Sequence, residues 1–332
     1  MKPCAASVEA YLQAHQNEMP DEETLAQRRQ TIYALAGTTP EEHTFVCSHS
    51  GAEAVNQVLF SVFLEVARKE GKCHFLASAL VDEPTRQMLK RLETLGCAVK
   101  MVPTNAEGMI DLAVLETFIN PRTALLSVPY VDPRTGVIQP VEALAAFCRE
   151  RQIPLHIEGD QAFGQIALSL SDIGVDYFTF SGEPIHAISG CGGLFAKVGR
   201  PLLPLIVGKE EDTAALLACS AAAQQAIFFL DAMSLEVGRL RAIFEVQLYQ
   251  GQILFADQPR VPHLSALSFP RIHAEALAYY LRRKGVAVRQ LDERAIRFAF
   301  SRYTTQAEID CTIQIVTEVV AHLHTLSEDL DE

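Results

Sequence analysis

Short apolar runs alternate with longer amphipathic stretches through the first two hundred residues of the chain. Seven runs of apolar and β-branched residues predict strands at residues 44–47, 73–77, 98–102, 124–128, 154–157, 177–180 and 193–196. Amphipathic patterns predict helices between several of them, at residues 54–68, 84–95, 111–119 and 141–151. This alternation is typical of βαβ units, so we expect a mostly parallel sheet covered by helices on both faces. Ligands on such sheets bind where the strands end, and the loops after these runs are therefore the candidate site.

The pattern differs at both ends of the chain. Two amphipathic stretches come first, at residues 8–14 and 22–36, and Gly37 ends the second as glycine often ends a helix. After a long helical pattern at 212–248, the sequence predicts a strand at 263–269, a helix at 274–284, paired strands at 287–291 and 295–300, and a closing helix at 305–326. We therefore expect a large α/β domain over residues 1–250, a small α+β domain over 251–327, and an acidic, solvated tail over 328–332.

Composition narrows the possible partners and the compartment. The 332 residues include 28 basic and 41 acidic ones, a net charge of −13, which argues against nucleic acid and anionic lipid because phosphate binding needs clustered Lys and Arg. We expect no membrane span, since polar residues interrupt the most apolar stretch at 214–230. The N-terminus has no apolar signal core, and the eight cysteines are scattered without a CxxC pair. Reduced thiols and a cytoplasmic location are therefore expected.

Five segments carry motifs that share their order and spacing with one family. They are Ser50-Gly51-Ala52-Glu53-Ala54-Val55-Asn56, Gly136-Val137-Ile138-Gln139-Pro140, His156-Ile157-Glu158-Gly159-Asp160-Gln161-Ala162-Phe163-Gly164, Asp176-Tyr177-Phe178-Thr179-Phe180-Ser181-Gly182 and Ile296-Arg297-Phe298-Ala299-Phe300-Ser301-Arg302-Tyr303-Thr304-Thr305. Together they resemble the NifS-like cysteine desulfurases, a branch of the class V aminotransferases that bind pyridoxal 5′-phosphate (PLP). The resemblance covers nearly the whole chain. It implies the fold-type I architecture, in which a large domain has a mostly parallel seven-stranded sheet and a small C-terminal domain is α+β.

The chain departs from the family at the lysine that carries the cofactor. Where the family reads Ser-Gly-His-Lys, this chain reads Ser181-Gly182-Glu183-Pro184. Enzymes of this fold hold PLP through that lysine. None of the eight lysines lies within ten residues of Pro184, and the nearest in sequence is Lys197. We therefore predict no covalently bound PLP, no other cofactor and no catalytic residue.

The resemblance also outlines a vestigial cofactor pocket. Its residues are Gly51, Ala52, Glu53, Asp82, Glu158, Gln161, Ser181 and Glu183. Glu53 replaces the family's Thr or Ser at the phosphate seat, Asp82 falls where a histidine would stack on the ring, and Glu158 replaces the aspartate that pairs with the pyridine nitrogen. A carboxylate at position 53 repels phosphate, and the interpretation we favour is that it caps its own helix.

Three positions, two of them in this pocket, match family residues that contact cofactor or substrate. Gln161 and Ser181 match cofactor contacts, and Arg297 matches the arginine that binds a substrate carboxylate, usually as a bidentate pair. For these three residues and for Glu158, we favour a structural role in the scaffold over a retained role in binding cofactor or substrate.

Further departures favour the loss of activity. Desulfurases of the family carry a nucleophilic cysteine just before the Ile-Arg-Phe strand, but residues 289–294 close that gap without one. The family's first strand is also missing from this sequence. His322 and His324 on one helix point apart, so no metal site is predicted.

We therefore predict a cysteine desulfurase-like protein that has lost PLP-dependent catalysis and serves as a non-catalytic binding or regulatory protein. The resemblance implies a homodimer, with a partner in iron–sulfur or sulfur metabolism, and leaves pairing with an active paralogue open. Two alternatives remain. One is an active enzyme, either binding PLP non-covalently or using new chemistry around His156, Glu158 and Arg297. The other is an unrelated doubly wound fold with chance motif matches.

Overall fold

The computed structural model describes residues 21–208 and 211–331, with side chains as far as residue 326. Contacts divide the chain into two compact units. The described part of the larger unit comprises residues 21–133 and Gln139–Phe228, whereas the smaller unit comprises Arg134–Ile138 and residues from Phe229 onward. The domain boundaries expected from the sequence stay predictions.

A seven-stranded sheet forms the centre of the larger unit. Its strands are β1 (His43–Ser48), β2 (His74–Ser78), β3 (Ala98–Val102), β4 (Thr123–Pro129), β5 (Leu155–Glu158), β6 (Tyr177–Ser181) and β7 (Gly192–Lys197). They lie in the order β1-β7-β6-β5-β4-β2-β3, and β7 alone runs antiparallel to its neighbours. The expected mostly parallel sheet is confirmed, and each strand covers the run that predicted it to within a residue at either end.

The helices of the larger unit follow the predicted alternation. They are α1 (Glu22–Ala36), α2 (Gly51–Val62), α3 (Glu83–Thr94), α4 (Leu112–Glu116), α5 (Val141–Glu150), α6 (Leu170–Ile173) and α7 (Thr213–Ala232). A π-helical turn, Phe63–Ala67, extends α2 into Arg68–Glu70. As expected, α1 ends at Gly37, whose φ of 59° suits glycine. The helix expected at residues 8–14 lies outside the described residues, and the short α6 was not expected.

The smaller unit contains a four-stranded antiparallel sheet and three helices. The strands β8 (Gln252–Ile253), β9 (Leu264–Ser268), β10 (Arg289–Gln290) and β11 (Ala295–Ala299) lie in the order β10-β11-β9-β8. A π-helical turn, Met233–Val237, connects α7 to α8 (Gly238–Gln247), and α9 (Ala274–Arg283) and α10 (Gln306–Asp331) follow. Apolar faces of α8, α9 and α10 bury a core that includes Phe244, Leu277 and Val316.

The strands of the smaller unit differ from the expectation in two places. The two-residue strand β8 was missed. The strand expected at residues 287–291 is only Arg289–Gln290, because the residues before it end helix α9, with the Val286 N–H donating to the Leu281 carbonyl. The acidic, solvated tail stays a prediction, and the backbone of α10 continues to Asp331.

One helical stretch departs from the expectation that no segment is apolar enough to span a membrane. Within the described residues, Thr213–Gln247 has the necessary length and composition, with a mean hydropathy of 1.6 in its most apolar window. Half of that window is buried inside the protein, and buried core helices pass the same test. The stretch is therefore a weak indication of a membrane span.

Packing between β5 and β6 requires a glycine immediately after β5. A Cβ atom at Gly159 would lie 1.9 Å from Cζ of the Phe178 ring, which is fully buried on β6. Phe178 also packs against Phe163, with ring centroids 6.1 Å apart. The ring is therefore held between the backbone of Gly159 and the Phe163 ring, and the turn between Glu158 and Asp160 packs directly against β6.

We expect Gly159→Ala to destabilise the protein by about 1–3 kcal/mol, because an added methyl group overpacks a closed core. Urea unfolding followed by circular dichroism measures the change. Gly238→Ala is the control, since its Cβ would lie 3.8 Å from the nearest atom and alanine favours helix. Wild-type stability in Gly159→Ala would show that the ring moves freely.

Candidate functional site

The loops after β1, β2, β5 and β6 lie on one edge of the sheet, because these strands run in the same direction. All eight positions of the expected pocket belong to the larger unit, at or beside this edge. Arg297 belongs to the smaller unit, on β11, where it is opposite Ala266 of β9. The structure thus places the eight pocket positions on one edge of one sheet.

The N-terminus of α2, the expected phosphate seat, is capped by the chain itself. Ser50 is the N-cap, and its hydroxyl accepts a hydrogen bond from the Glu53 N–H at 3.1 Å. The Glu53 carboxylate reaches back to accept from the His49 N–H at 2.9 Å. These contacts are those of a helix-capping residue. Gly51 and Ala52 form the first helical turn between them.

His49 links this helix to α7. Its Nδ1 lies 3.2 Å from the Glu53 carboxylate and its Nε2 lies 3.0 Å from the Asp212 carboxylate. Asp212 in turn accepts from the Ala215 N–H at 3.0 Å in the first turn of α7, and this bond lowers the Asp212 pKa. Sequence reasoning missed this pair, although an aspartate just before a helical pattern is an N-cap signal.

Ser181, at the end of β6, gives both of its donors to Asp160. Its N–H lies 2.6 Å and its hydroxyl 3.2 Å from the two Asp160 carboxylate oxygens. Burial raises the Asp160 pKa to about 6, with nearby Asp82 adding to the effect. Gly51 lies directly against this pair, because a Cβ there would be 2.3 Å from the Ser181 hydroxyl. A protein carboxylate therefore holds the serine that matches a cofactor contact.

Glu158, at the end of β5, is held by the loop that follows β2. One carboxylate oxygen accepts from the Asp82 N–H at 3.1 Å, and the other accepts from the Thr85 hydroxyl. The residue is 7% exposed, and burial raises its pKa to about 8, with smaller contributions from Asp82 and Asp160. Glu158 is thus mostly protonated at neutral pH. Asp82 itself is half-buried at the N-terminus of α3.

Pro184 lies in a single 3-10 turn, Glu183–Ile185, directly after β6. Its carbonyl accepts a hydrogen bond from the Gln165 side chain, and the His186 N–H donates to the Glu183 carbonyl at 2.9 Å. Lys197 is at the far end of β7, where its N–H donates to the Asp176 carbonyl before β6 begins. The length of β6, about 3.3 Å per residue, therefore separates this lysine from Pro184.

Two neighbouring residues have structural roles. The His156 ring is fully buried between Ser127 (3.1 Å) and Thr179 (3.0 Å), and burial lowers its pKa to about 3, so it stays neutral. Gln161 is half-buried in the tight turn after β5, where the Ala162 N–H donates to the Gly159 carbonyl at 2.9 Å. The buried His156 ring therefore links β4 and β6 through hydrogen bonds and is not an exposed acid or base.

No metal centre is evident in the described part of the chain, and the Cys191 and Cys219 thiols beside the Pro184 turn and α7 are buried. The seven cysteines there are free thiols, and no group of three His, Cys, Asp or Glu residues is arranged to hold a metal. Cys191, close to the Pro184 turn, is buried with its Sγ 3.7 Å from the Ala215 carbonyl. A hydrogen bond with Cys191 and burial raise the pKa of Cys219, which keeps that thiol protonated.

Comparison with known proteins identifies the scaffold. A family model described as aminotransferase class-V matches residues 8–217, more than half of the chain. The chain belongs to the class-V aminotransferase family. The resemblance inferred from the five motifs is confirmed at this level.

Cysteine desulfurases are among the most similar relatives of this class-V family member. One from Nostoc sp. is 26% identical over 341 residues, covering 90% of this chain and 82% of that protein. The cysteine desulfurase IscS of Serratia proteamaculans is 26% identical over 344 residues, covering 92% and 83%. A solved structure described as a NifS-like protein has a TM-score of 0.88 at 22% identity over 97% of both chains, which confirms the fold-type I architecture.

The residues of this class-V family member do not fit PLP bound through a lysine. Pro184 offers no amine, and both donors of Ser181 already bond to Asp160. Glu53 and Asp160 add carboxylates beside the helix N-terminus where a phosphate would need donors. What remains is a cluster of carboxyl groups that bond to their own loops. No reaction step follows from this geometry.

The raised pKa of Glu158 predicts that the contribution of this residue to stability falls as the pH rises. The folded protein holds this proton up to about pH 8, whereas the unfolded chain, at the ordinary value of 4.5, has lost it. Stability is therefore lost between these two values, by up to about 1.4 kcal/mol per pH unit. Between pH 6.5 and 8, Asp160 adds little to this fall, since it titrates near pH 6. Buried histidines oppose it, because burial lowers their pKa and the unfolded chain loses their protons in this range; they are His43, His74, His156 and His263.

Glu158→Gln should remove this falling contribution because an amide does not titrate, so the slope of unfolding free energy against pH between 6.5 and 8 should be more positive than in wild type. Urea unfolding at the two pH values measures the slope, and Glu107→Gln, at an exposed position, is the matched control. Equal slopes in wild type and Glu158→Gln would mean that Glu158 is already ionised in the folded protein.

Proposed function

We propose that this chain is a cysteine desulfurase-like protein that has lost PLP-dependent catalysis and acts as a binding or regulatory protein. The observation that carries the proposal is Pro184 at the lysine position, fixed in a turn whose carbonyl is bonded to Gln165. Of the lysines that the structure describes, Lys197 is the nearest in sequence and lies at the other end of β7. Lys2 and Lys209 lie outside the described residues.

The neighbouring contacts support the same proposal. Glu158 is bonded to Thr85 and to the backbone of Asp82, while Asp160 is bonded to Ser181. The positions that would meet the ring nitrogen and the phosphate are therefore occupied by contacts within the protein. An enzyme that binds PLP non-covalently would have to break these contacts first.

A visible spectrum tests the loss of cofactor binding. We expect purified protein incubated with PLP and then gel-filtered to retain no absorbing chromophore, and to form no alanine from cysteine. An active family member treated in parallel is the positive control. A retained chromophore or alanine formation in the wild-type protein would overturn the proposal.

Pro184→Lys separates the missing amine from the rest of the site. We expect this variant to bind PLP far more weakly than the active control, because Ser181, Glu53 and Glu158 keep their internal contacts. Full recovery of the chromophore would show that Pro184 is the only obstacle, contrary to the argument from the surrounding carboxylates.

We also propose that the protein is a cytoplasmic homodimer with a protein partner in sulfur or iron–sulfur metabolism. Its relatives named cysteine desulfurase support the metabolic context. Large apolar side chains at the surface of the larger unit support self-association. They are Ile206, Val207, Ile227 and Phe228, of which Val207 is 86% exposed. Exposed groups of this kind often mark interaction surfaces.

Light scattering coupled to gel filtration tests self-association. We expect a species of twice the 36.5 kDa chain mass at micromolar concentration. Val207→Asp and Phe228→Asp should shift it toward the single-chain mass, whereas Val246→Asp, at an exposed position of the smaller unit, serves as the control. A wild-type protein of 36.5 kDa would refute the homodimer.

A further inference from the structure

We propose that the larger unit carries an anion site on the edge of the sheet opposite to the vestigial pocket. A cavity of about 230 Å³ lies where β5 and β6 begin and β7 ends. The side chains that determine its charge are Arg149, Asp176, Lys197 and Arg200. The ligand we infer is a phosphate-type oxyanion, either free or as the monoester of a small molecule.

Charge is the first argument for the site. The lining includes three cationic residues and one carboxylate, a net charge of +2 in a chain whose total is −13. Arg200 pairs with Asp176 at 2.7 Å. Among the residues that the structure describes, neither Arg149 nor Lys197 has a carboxylate partner. An oxyanion would supply the missing negative charge.

Asp176 gives the cavity a fixed wall. Its side chain is 10% exposed, and one oxygen accepts from the Leu155 N–H at 2.8 Å while the other accepts from the Arg200 Nε. The carboxylate therefore joins the start of β5 to the start of β6 and orients the Arg200 guanidinium. Nearby Cys148 adds no charge, since burial and Asp176 raise its pKa to about 12.

Backbone geometry fixes the second arginine. The Arg149 guanidinium donates to the Ile173 carbonyl at 3.3 Å, and a Cβ at Gly174 would lie 2.6 Å from that same nitrogen. The glycine, at φ 72°, therefore leaves the space that Arg149 occupies. Arg149 is held beside the cavity by this contact and keeps further N–H groups for a ligand.

The end of α5 beside the cavity does not repel an anion strongly. Its last carbonyls already accept hydrogen bonds: Cys148 from the Ile153 N–H at 3.0 Å and Arg149 from the Gln152 N–H at 3.2 Å. Gln152 takes a left-handed φ of 56° to make this turn and lies at the rim. The negative end of the helix is therefore partly satisfied within the chain.

The volume of the cavity indicates the size of the ligand that it holds. A water molecule occupies about 30 Å³ in the liquid, so the cavity holds a tetrahedral oxyanion together with waters or a few further atoms. The volume matches a small oxyanion or monoester without requiring a larger ligand. Because the cavity contains both arginine and lysine, it favours an anion with several oxygen acceptors over chloride.

Isothermal titration calorimetry of the full chain with inorganic phosphate, at constant ionic strength, tests the site. We expect saturable binding that chloride does not reproduce. Lys197→Gln and Arg149→Gln should each weaken it about tenfold or more, the loss of one charge-assisted contact. Lys197→Arg should keep it. Lys90→Gln, which removes an exposed lysine of α3 in the same unit, is the matched control.

Three results would overturn the proposal. Absence of saturable binding in the wild type at 10 mM phosphate, about the weakest affinity worth a specific site, would overturn the proposal. So would equal weakening by Lys90→Gln, or unchanged binding in the Arg149→Gln, Lys197→Gln double variant. If one variant fails to fold by circular dichroism, the other decides. Tighter binding of glycerol 3-phosphate than of phosphate supports a phosphorylated small molecule, and the reverse order supports free oxyanion.

Discussion

Hydrogen bonding at the carboxyl edge of the parallel sheet is the constraint on which the rest of the larger unit depends. Parallel strands bring their following loops to one edge, and each loop arrives with backbone donors that need acceptors. Here Glu158 accepts from the loop after β2, and Asp160 accepts from the end of β6. The resemblance assigns the positions of Glu158 and Ser181 to cofactor contacts in the family. In this chain the edge is held together by its own carboxyl groups.

Burying carboxyl groups at such an edge is costly unless they lose their charge or gain donors. Glu158 mainly loses its charge, because burial raises its pKa above neutrality. Asp160 gains the two donors of Ser181, which oppose its upward shift without cancelling it. Glu53 and Asp212 take the second course at helix N-termini, where backbone N–H groups and the helix dipole favour a carboxylate. The acidic composition of the chain is thus accommodated by two different local devices.

Sequence patterns predicted the parts of this arrangement that are local. The seven strands of the larger sheet follow from apolar runs, and Pro184 was found by aligning a short motif beside β6. Strand β8 was missed because two residues carry no period, and β10 was overestimated because the cap of α9 uses the residues before it. The partners of Glu158 and His49 were also missed. Thr85 and Asp212 lie 73 and 163 residues away in sequence, and only the folded sheet brings them together.

The two edges of the sheet now differ in charge in a way that follows from how each is built. At the carboxyl edge, the loops that would contact a phosphate hydrogen-bond instead to carboxyl groups of the protein. An anion that approaches this edge meets Glu53 and Asp160. At the opposite edge, Asp176 bonds to Arg200 and to the start of β5, while Arg149 and Lys197 have no carboxylate partner among the described residues. A bound anion needs hydrogen-bond donors that do not already bond within the protein. The edge that carries Arg149 and Lys197 is therefore the one suited to hold an anion. The proposed anion site would therefore give this scaffold a binding chemistry at the opposite end of the same strands from the vestigial pocket.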